Sequence, residues 1–168
     1  LLAAFHLQAE IGIRVYSMDE ALNESNISKP RIYIENTGTE TIQDFTYFYY
    51  FTVENGKSPI LDDYYTPNSS VQIEFLEANE YRIASDFTGV SLAPGQILPN
   101  PSGNIIGLHY SDWSAFDKSN AFSFNGSAVF LENTMIPVYM GGQKIYGNEP
   151  GISIPDGNLA SIIPQQYF

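Results

Sequence analysis

Catalysis needs groups that converge, and few residues of this chain offer them. A hydrolase would want a nucleophile beside a base, or two carboxylates facing one bond. The chain has two histidines, His6 and His109, and no cysteine. Each histidine falls in a run that reads as a strand, and a lone strand histidine is ordinarily structural or a polar contact. The carboxylates of Asp62, Asp63, Glu74 and Glu77 read as a solvated loop or face. No glycine-rich phosphate loop, His-x-x-x-His pair or serine elbow is present. The more promising group is an aromatic one. Trp113, the sole tryptophan, is flanked by Ser111, Asp112 and Ser114, polar neighbours that favour a partly exposed ring.

The elements that must position these groups are strands. Short apolar runs alternate with turn residues along the chain, the pattern of an all-β sandwich. Ile11 to Met18 reads as a strand. In the stretch from Arg31 to Glu35, Ile32 and Ile34 fall on one face and Arg31, Tyr33 and Glu35 on the other, which predicts a half-buried strand ending at an Asn36, Thr37, Gly38 turn. Two strands joined by a bend near Glu77 to Glu80 follow, then a turn at Pro94 and Gly95. The run ending in His109 and Tyr110 is a further strand. Met135 to Gly147 forms a hairpin about Gly141 and Gly142, with Pro137 marking an edge or a bulge. No amphipathic helix of useful length appears.

With 168 residues the chain fits one domain with a real core. Seven basic residues against 19 acidic ones give a formal net charge of −12, a field that repels nucleic acid and anionic membrane surfaces but does not penalise a neutral polymer. The first residues, Leu1 to Ile13, are apolar yet interrupted by His6, Gln8 and Glu10, and too short for a membrane span. They read as an N-terminal strand or the remainder of a processed leader. The domain is expected over residues 1–150, with 151–168 as a tail or linker.

The densest feature is the run Phe45 to Phe51, in which six of seven residues are aromatic. Alternation puts Phe45, Tyr47, Tyr49 and Phe51 on one face and Phe48 and Tyr50 on the other. A sugar platform needs its rings on one exposed face. The run is therefore expected to be a central strand buried on at least one side.

Taken in order, these segments resemble the family-three carbohydrate-binding modules of bacterial cellulases and scaffoldins. The resemblance rests on Ile13 to Tyr16, on the stretch from Lys29 through the Asn36-Thr37-Gly38 turn and the tyrosine-rich strand to Lys57, on Ser91 to Gln96, on Tyr110 to Phe124 and on Met140 to Pro150, and covers roughly residues 11–150. It implies an antiparallel β-sandwich of jelly-roll type with about nine strands. It also implies no catalysis, an extracellular or cell-surface setting, and a flat strip of side chains that binds cellulose or a related β-glucan. Trp113 falls on the strip tryptophan and Gly107 where the family carries an arginine. The strip Asp-His pair falls near Asp62, Asp63 and Tyr64, with Asp63-Tyr64 the chosen match. Tyr64 or Tyr65 would stand in for a tyrosine from a loop that is deleted here, and His109, which shares a face with Trp113 by strand alternation, would add a ring. On the opposite sheet, Phe48 and Tyr50 would face a shallow groove.

The resemblance further implies a structural calcium ion, held at Thr52, Glu54, Asp117 and Asn120, with Ala121 where a carboxylate is usual. Two alternatives stand beside the binding module. One is a fibre-forming surface subunit that self-assembles through the apolar termini, Leu1 to Phe5 and Ile152 to Phe168. The other is a module fused to a catalytic domain to which it feeds a chain.

Overall fold

The computed structural model describes residues 11–151. The segments before and after, including the expected first strand with His6, the tail and the apolar termini of the fibre reading, lie outside the described residues. Among the described residues fourteen strands follow one another: β1 (Ile13–Asp19), β2 (Ile27–Ser28), β3 (Pro30–Asn36), β4 (Ile42–Gln43), β5 (Phe45–Thr52), β6 (Pro59–Tyr65) and β7 (Ser70–Glu77), then β8 (Glu80–Asp86), β9 (Ser91–Leu92), β10 (Ile97–Leu98), β11 (Asn104–Tyr110), β12 (Leu131–Glu132), β13 (Val138–Met140) and β14 (Gln143–Tyr146). Nine have three or more residues and five are two-residue pairings. Among the described residues the only helical turn is a 3₁₀ turn at Lys118–Asn120.

Two antiparallel sheets face each other. The first runs β12-β1-β3-β11-β2, with β10 on β3 and β6 on β11. The second runs β14-β13-β5-β8-β7, and β4-β9 forms a small separate pair. The expected alternation in β3 is realised: Ile32 and Ile34 are fully buried, while Arg31, Tyr33 and Glu35 are half-buried on the outer side. Gly141 and Gly142 take φ of +58° and +75°, the turn of the β13–β14 hairpin.

The aromatic run is β5, and it is buried on both faces. Phe45, Tyr47, Tyr49 and Phe51 enter the core against Ile32, Ile34, Ile106 and Leu108 of the first sheet. Phe45 stacks on Phe87 at 4.6 Å. The buried hydroxyl of Tyr47 accepts a bond from Asn104 Nδ2 at 3.0 Å. Phe48 and Tyr50 form a second cluster with Leu76 and Ala84 on the outer side of the second sheet. Arg82, itself buried, lies 3.8 Å over the Phe48 ring and bonds Glu74 at 2.6 Å. Phe48 therefore floors the shallow groove beneath Arg82, whereas Tyr50 is wholly covered; neither offers a ring to solvent.

A buried lysine holds β2 in place. Lys118 donates to the carbonyls of Ala21 and Ile27, the latter at 2.8 Å, so the loop between β1 and β2 is pinned to the 3₁₀ turn. Burial pulls its pKa below the usual lysine value. β2 in turn pairs Ile27 with His109 and Ser28 with Leu108. The C-terminal half of β11 is thus clamped between β2 and β6.

Candidate carbohydrate-binding face

β6 and β11 pair antiparallel, with Gly107 opposite Asp62, Leu108 opposite Leu61 and His109 opposite Ile60. Residues directly opposite share a face. Leu108 is fully buried, so its face is the core side; Gly107, His109, Ile60 and Asp62 point outward. A bulge between Ile105 and Ile106 leaves Tyr64 without a partner across the pair, since Asp63 meets Ile106 and Tyr65 meets Ile105. Such a bulge re-aims the side chains beyond it.

Trp113 lies just past the end of β11. Its N–H donates to the Tyr110 carbonyl at 3.0 Å, closing a tight turn. Its φ is +54°, the left-handed region that bulky residues rarely enter. The turn is braced from outside. Asp112 Oδ1 accepts from the Ser114 N–H and hydroxyl at 3.1 and 2.7 Å, and Lys57 Nζ lies 2.6 Å from Asp112 Oδ2. The Lys57 bond, followed by those from Ser114, holds the Asp112 carboxyl well below the usual carboxylate range. The chain folds back so that Trp113 lies flat on His109, with ring centroids 3.6 Å apart and planes 7° apart. His109 is 5% exposed and Trp113 51%. One face of the indole rests on the imidazole and the other is free.

Asp62 joins the two halves of this surface. Its Oδ2 lies 3.2 Å from His109 Nε2 and accepts from the Tyr64 hydroxyl at 3.0 Å. His109 Nδ1 is 2.7 Å from the Tyr110 carbonyl, which can only accept, so Nδ1 carries a proton. The Tyr64 ring lies across Gly107: a Cβ there would stand 2.7 Å from Tyr64 Cε2 and 3.2 Å from its hydroxyl oxygen. Lys29 Nζ is 5.8 Å from the centre of the Tyr64 ring. Partial burial first, then the neighbouring Asp62 carboxylate, pushes the Tyr64 phenol above its ordinary pKa.

The residues singled out from sequence thus separate. Trp113, His109 and Tyr64 come together on one face. His109 does so as the underlay of Trp113, because the turn, not strand alternation, brings the indole over it. Tyr65 is exposed beside them, its hydroxyl accepting from Asn100 Nδ2 at 3.1 Å. Asp63 does not join: it pairs with inward-facing Ile106 at the sheet edge and accepts from the Thr66 hydroxyl at 2.8 Å. Asp62 takes the position assigned to Asp63. The signal for that choice, the bulge one residue later, leaves no mark in the sequence pattern.

The expected metal ligands also converge in part. Glu54 Oε1 accepts from the Asp117 N–H at 3.1 Å, and Thr52 Oγ1 lies 3.4 Å from the Asn120 carbonyl, so both bonds tie the loop 117–121 to the end of β5. Thr52 Oγ1 also meets Glu80 at 3.0 Å, a carboxylate that sequence reading did not include. Asp117 is spent in part on capping the 3₁₀ turn through Ser119. Glu54 Oε2 is buried with no hydrogen-bond partner, an acceptor of the kind a hard cation satisfies. Glu24, Glu54 and Asp117 line one hollow of about 570 Å³. Among the described residues no three acidic or histidine side chains are grouped to hold a metal ion. An ion here would lean on hydroxyl and carbonyl oxygens as well, a donor set that fits calcium rather than a transition metal.

Comparison with known proteins agrees with this architecture. The family model for the cellulose binding domain matches residues 14–147. The chain is 26% identical over 145 residues to cellulosomal-scaffolding protein A of Acetivibrio thermocellus, which covers 77% of this chain but only 8% of that protein. It is 31% identical over 137 residues to an uncharacterized protein in the celA 5′ region of Paenibacillus lautus, covering 74% of this chain and 92% of that one. Among solved structures, the carbohydrate-binding module CBM3b of cellobiohydrolase 9A from Clostridium thermocellum superposes with a TM-score of 0.70 at 26% identity, over 84% of this chain and all of that one. With its sandwich and the matched residues in view, the chain belongs to the cellulose binding domain family, as a non-catalytic carbohydrate-binding module.

Proposed function

We propose that the outer face of the first sheet binds cellulose or a related β-glucan by stacking sugar rings on Trp113. The observation that carries this reading is the posture of that ring: flat on His109, half exposed, with one face open to solvent. An aromatic face of this kind matches the apolar face of a sugar ring. Tyr64 and Tyr65 extend the surface along β6, and the exposed Asp63 carboxylate at its rim accepts from sugar hydroxyls. The scaffolding relatives act as parts of cellulosomes, by their names, which supports an extracellular or cell-surface setting. The chain spans 8% and 19% of those two relatives, so its place in a larger protein is part of the proposal.

A calcium ion at Thr52, Glu54, Asp117 and Asn120 is the accompanying proposal, supported by the partnerless buried oxygen of Glu54. Its role is structural: it would fasten the loop 117–121, which follows the Trp113 turn, to the end of β5.

The experiment is a pull-down of the protein on crystalline cellulose, amorphous cellulose and xylan. Retention on a cellulose, released by soluble β-glucan, is the expected result. No retention on any of the three would overturn the reading.

A further inference from the structure

Resting on that reading of the face, we propose that Asp62 is the positioning residue of the site, and that Gly107 is the seat of a second ring platform formed by Tyr64. Replacement of a charged strip position by glycine looks like a loss of binding surface. The geometry points the other way. Because Gly107 has no side chain, Tyr64 lies across the backbone of β11, where a Cβ would stand 2.7 Å from its ring. Two residues along the same strand, Trp113 lies on His109. Residues i and i+2 share a face about 7 Å apart, so two flat rings are laid side by side on one strand. One rests on a glycine and the other on a histidine.

A single carboxylate oxygen holds both. Asp62 Oδ2 accepts from the Tyr64 hydroxyl at 3.0 Å and stands 3.2 Å from His109 Nε2. His109 is fixed on its other side by the Tyr110 carbonyl, whose oxygen also closes the turn that carries Trp113. Asp62 therefore sets the azimuth of the imidazole under Trp113 and the tilt of the phenol over Gly107 at once. A residue that merely stabilised the sheet would touch neither ring. Its side chain is 35% exposed, in keeping with a positioning role at the surface rather than one in the core.

The test exploits Trp113 being the sole tryptophan among twelve tyrosines, so that fluorescence excited at the red edge, beyond tyrosine absorption, reports on this ring alone. Three variants are compared with wild type: Asp62→Ala, Gly107→Ala and, as a charge-loss control at an exposed position elsewhere, Glu40→Gln. Without ligand, Asp62→Ala is expected to lower the fluorescence anisotropy of Trp113 and change its emission intensity, because the imidazole beneath is released. Gly107→Ala is expected to leave that emission as in wild type. In β-glucan titrations each of the two should weaken binding about tenfold or more, and Glu40→Gln should bind as wild type. Wild-type emission from Asp62→Ala would overturn the positioning role even if affinity falls, since Asp62 would then be a direct sugar contact. Wild-type affinity in Gly107→Ala would overturn the Tyr64 platform. If wild type binds no β-glucan, the proposed function and the platform fall together, while the ligand-free fluorescence still decides whether Asp62 positions the ring. Should Asp62→Ala not fold, Tyr64→Phe, which removes one of the two ties, is expected to lower affinity with the ring retained.

Discussion

Replacing Trp113 by alanine and by glycine separates the ring's work for the ligand from its work for the fold. A large aromatic has about 250 Å² of surface, so an exposure of 51% leaves roughly 125 Å² open. A sugar ring laid on the free face hides about half of that, ~60 Å², worth ~1.5 kcal/mol at about 25 cal/mol per Å². Either substitution should therefore weaken β-glucan binding about tenfold, which is ~1.4 kcal/mol. The cost to stability is larger. The buried half of the ring, again roughly 125 Å², is worth up to ~3 kcal/mol at the same coefficient, and losing the stack on His109 removes about 0.5–1.5 kcal/mol beyond that. The backbone acts in the opposite sense for glycine alone: at φ +54° an L side chain carries about 1–2 kcal/mol of strain that glycine does not. Trp113→Gly should thus melt at or slightly above Trp113→Ala, by a few degrees, with equal loss of binding. Isothermal titration with soluble β-glucan and differential scanning calorimetry read the two quantities. A folded Trp113→Ala that binds as tightly as wild type would mean that the ring serves the fold alone and that the site assignment is wrong.

Other perturbations reach the scaffold. Tyr49→Ala empties a fully buried position of β5 and should destabilise the protein by about 3–5 kcal/mol in urea unfolding, without altering the ligand surface directly. Chelation should lower the melting temperature, because an ion bound only by the native state stabilises it by mass action; an unchanged transition would refute the calcium proposal. Burial raises the pKa of Tyr47 and Tyr49, and it pushes Tyr146 up to about 12. A pKa raised in the folded state contributes stability that is present below the ordinary tyrosine value and lost as pH climbs through the folded one. Tyrosinate absorbance should therefore include a late class of phenols that ionise together with loss of the far-ultraviolet β-sheet signal. Independent, early ionisation of every tyrosine would contradict the packing of β5.

What was legible in the sequence was what periodicity records. Ile32 and Ile34 announce the core face of β3 because a pleated strand alternates. The split of the rings in Phe45 to Phe51 between two faces rightly argued for burial, although burial on the second face depended on Arg82, Tyr139 and Phe122, which no local pattern connects to β5. The site was legible as residue types and not as a geometry. Asp62 and Asp63 are chemically alike, and only the bulge between Ile105 and Ile106 decides which of them faces His109. The contact of His109 with Trp113 was placed on strand alternation. It arises from a turn in which a tryptophan adopts a left-handed backbone, a conformation that sequence preference argues against. Gly107 read as an absence because a glycine's effect lies in what occupies the space it leaves.

The lysines near this face have a practical consequence for attaching the protein to anything. Lys29 hangs over Tyr64, and Lys57 braces the Trp113 turn through Asp112. Lys118 is buried and engaged by two carbonyls, which shields it from acylating reagents. Lys144, on the β13–β14 hairpin, is 40% exposed and belongs to the other sheet. Random amine coupling to a bead, a dye or a sensor surface would thus modify the binding face at two of four side chains. A preparation linked in that way would read as weak or inactive for reasons of chemistry alone. Replacing Lys29 and Lys57 by arginine keeps both cations and leaves Lys144 as the accessible side-chain handle, turning the ring-bearing face away from the support.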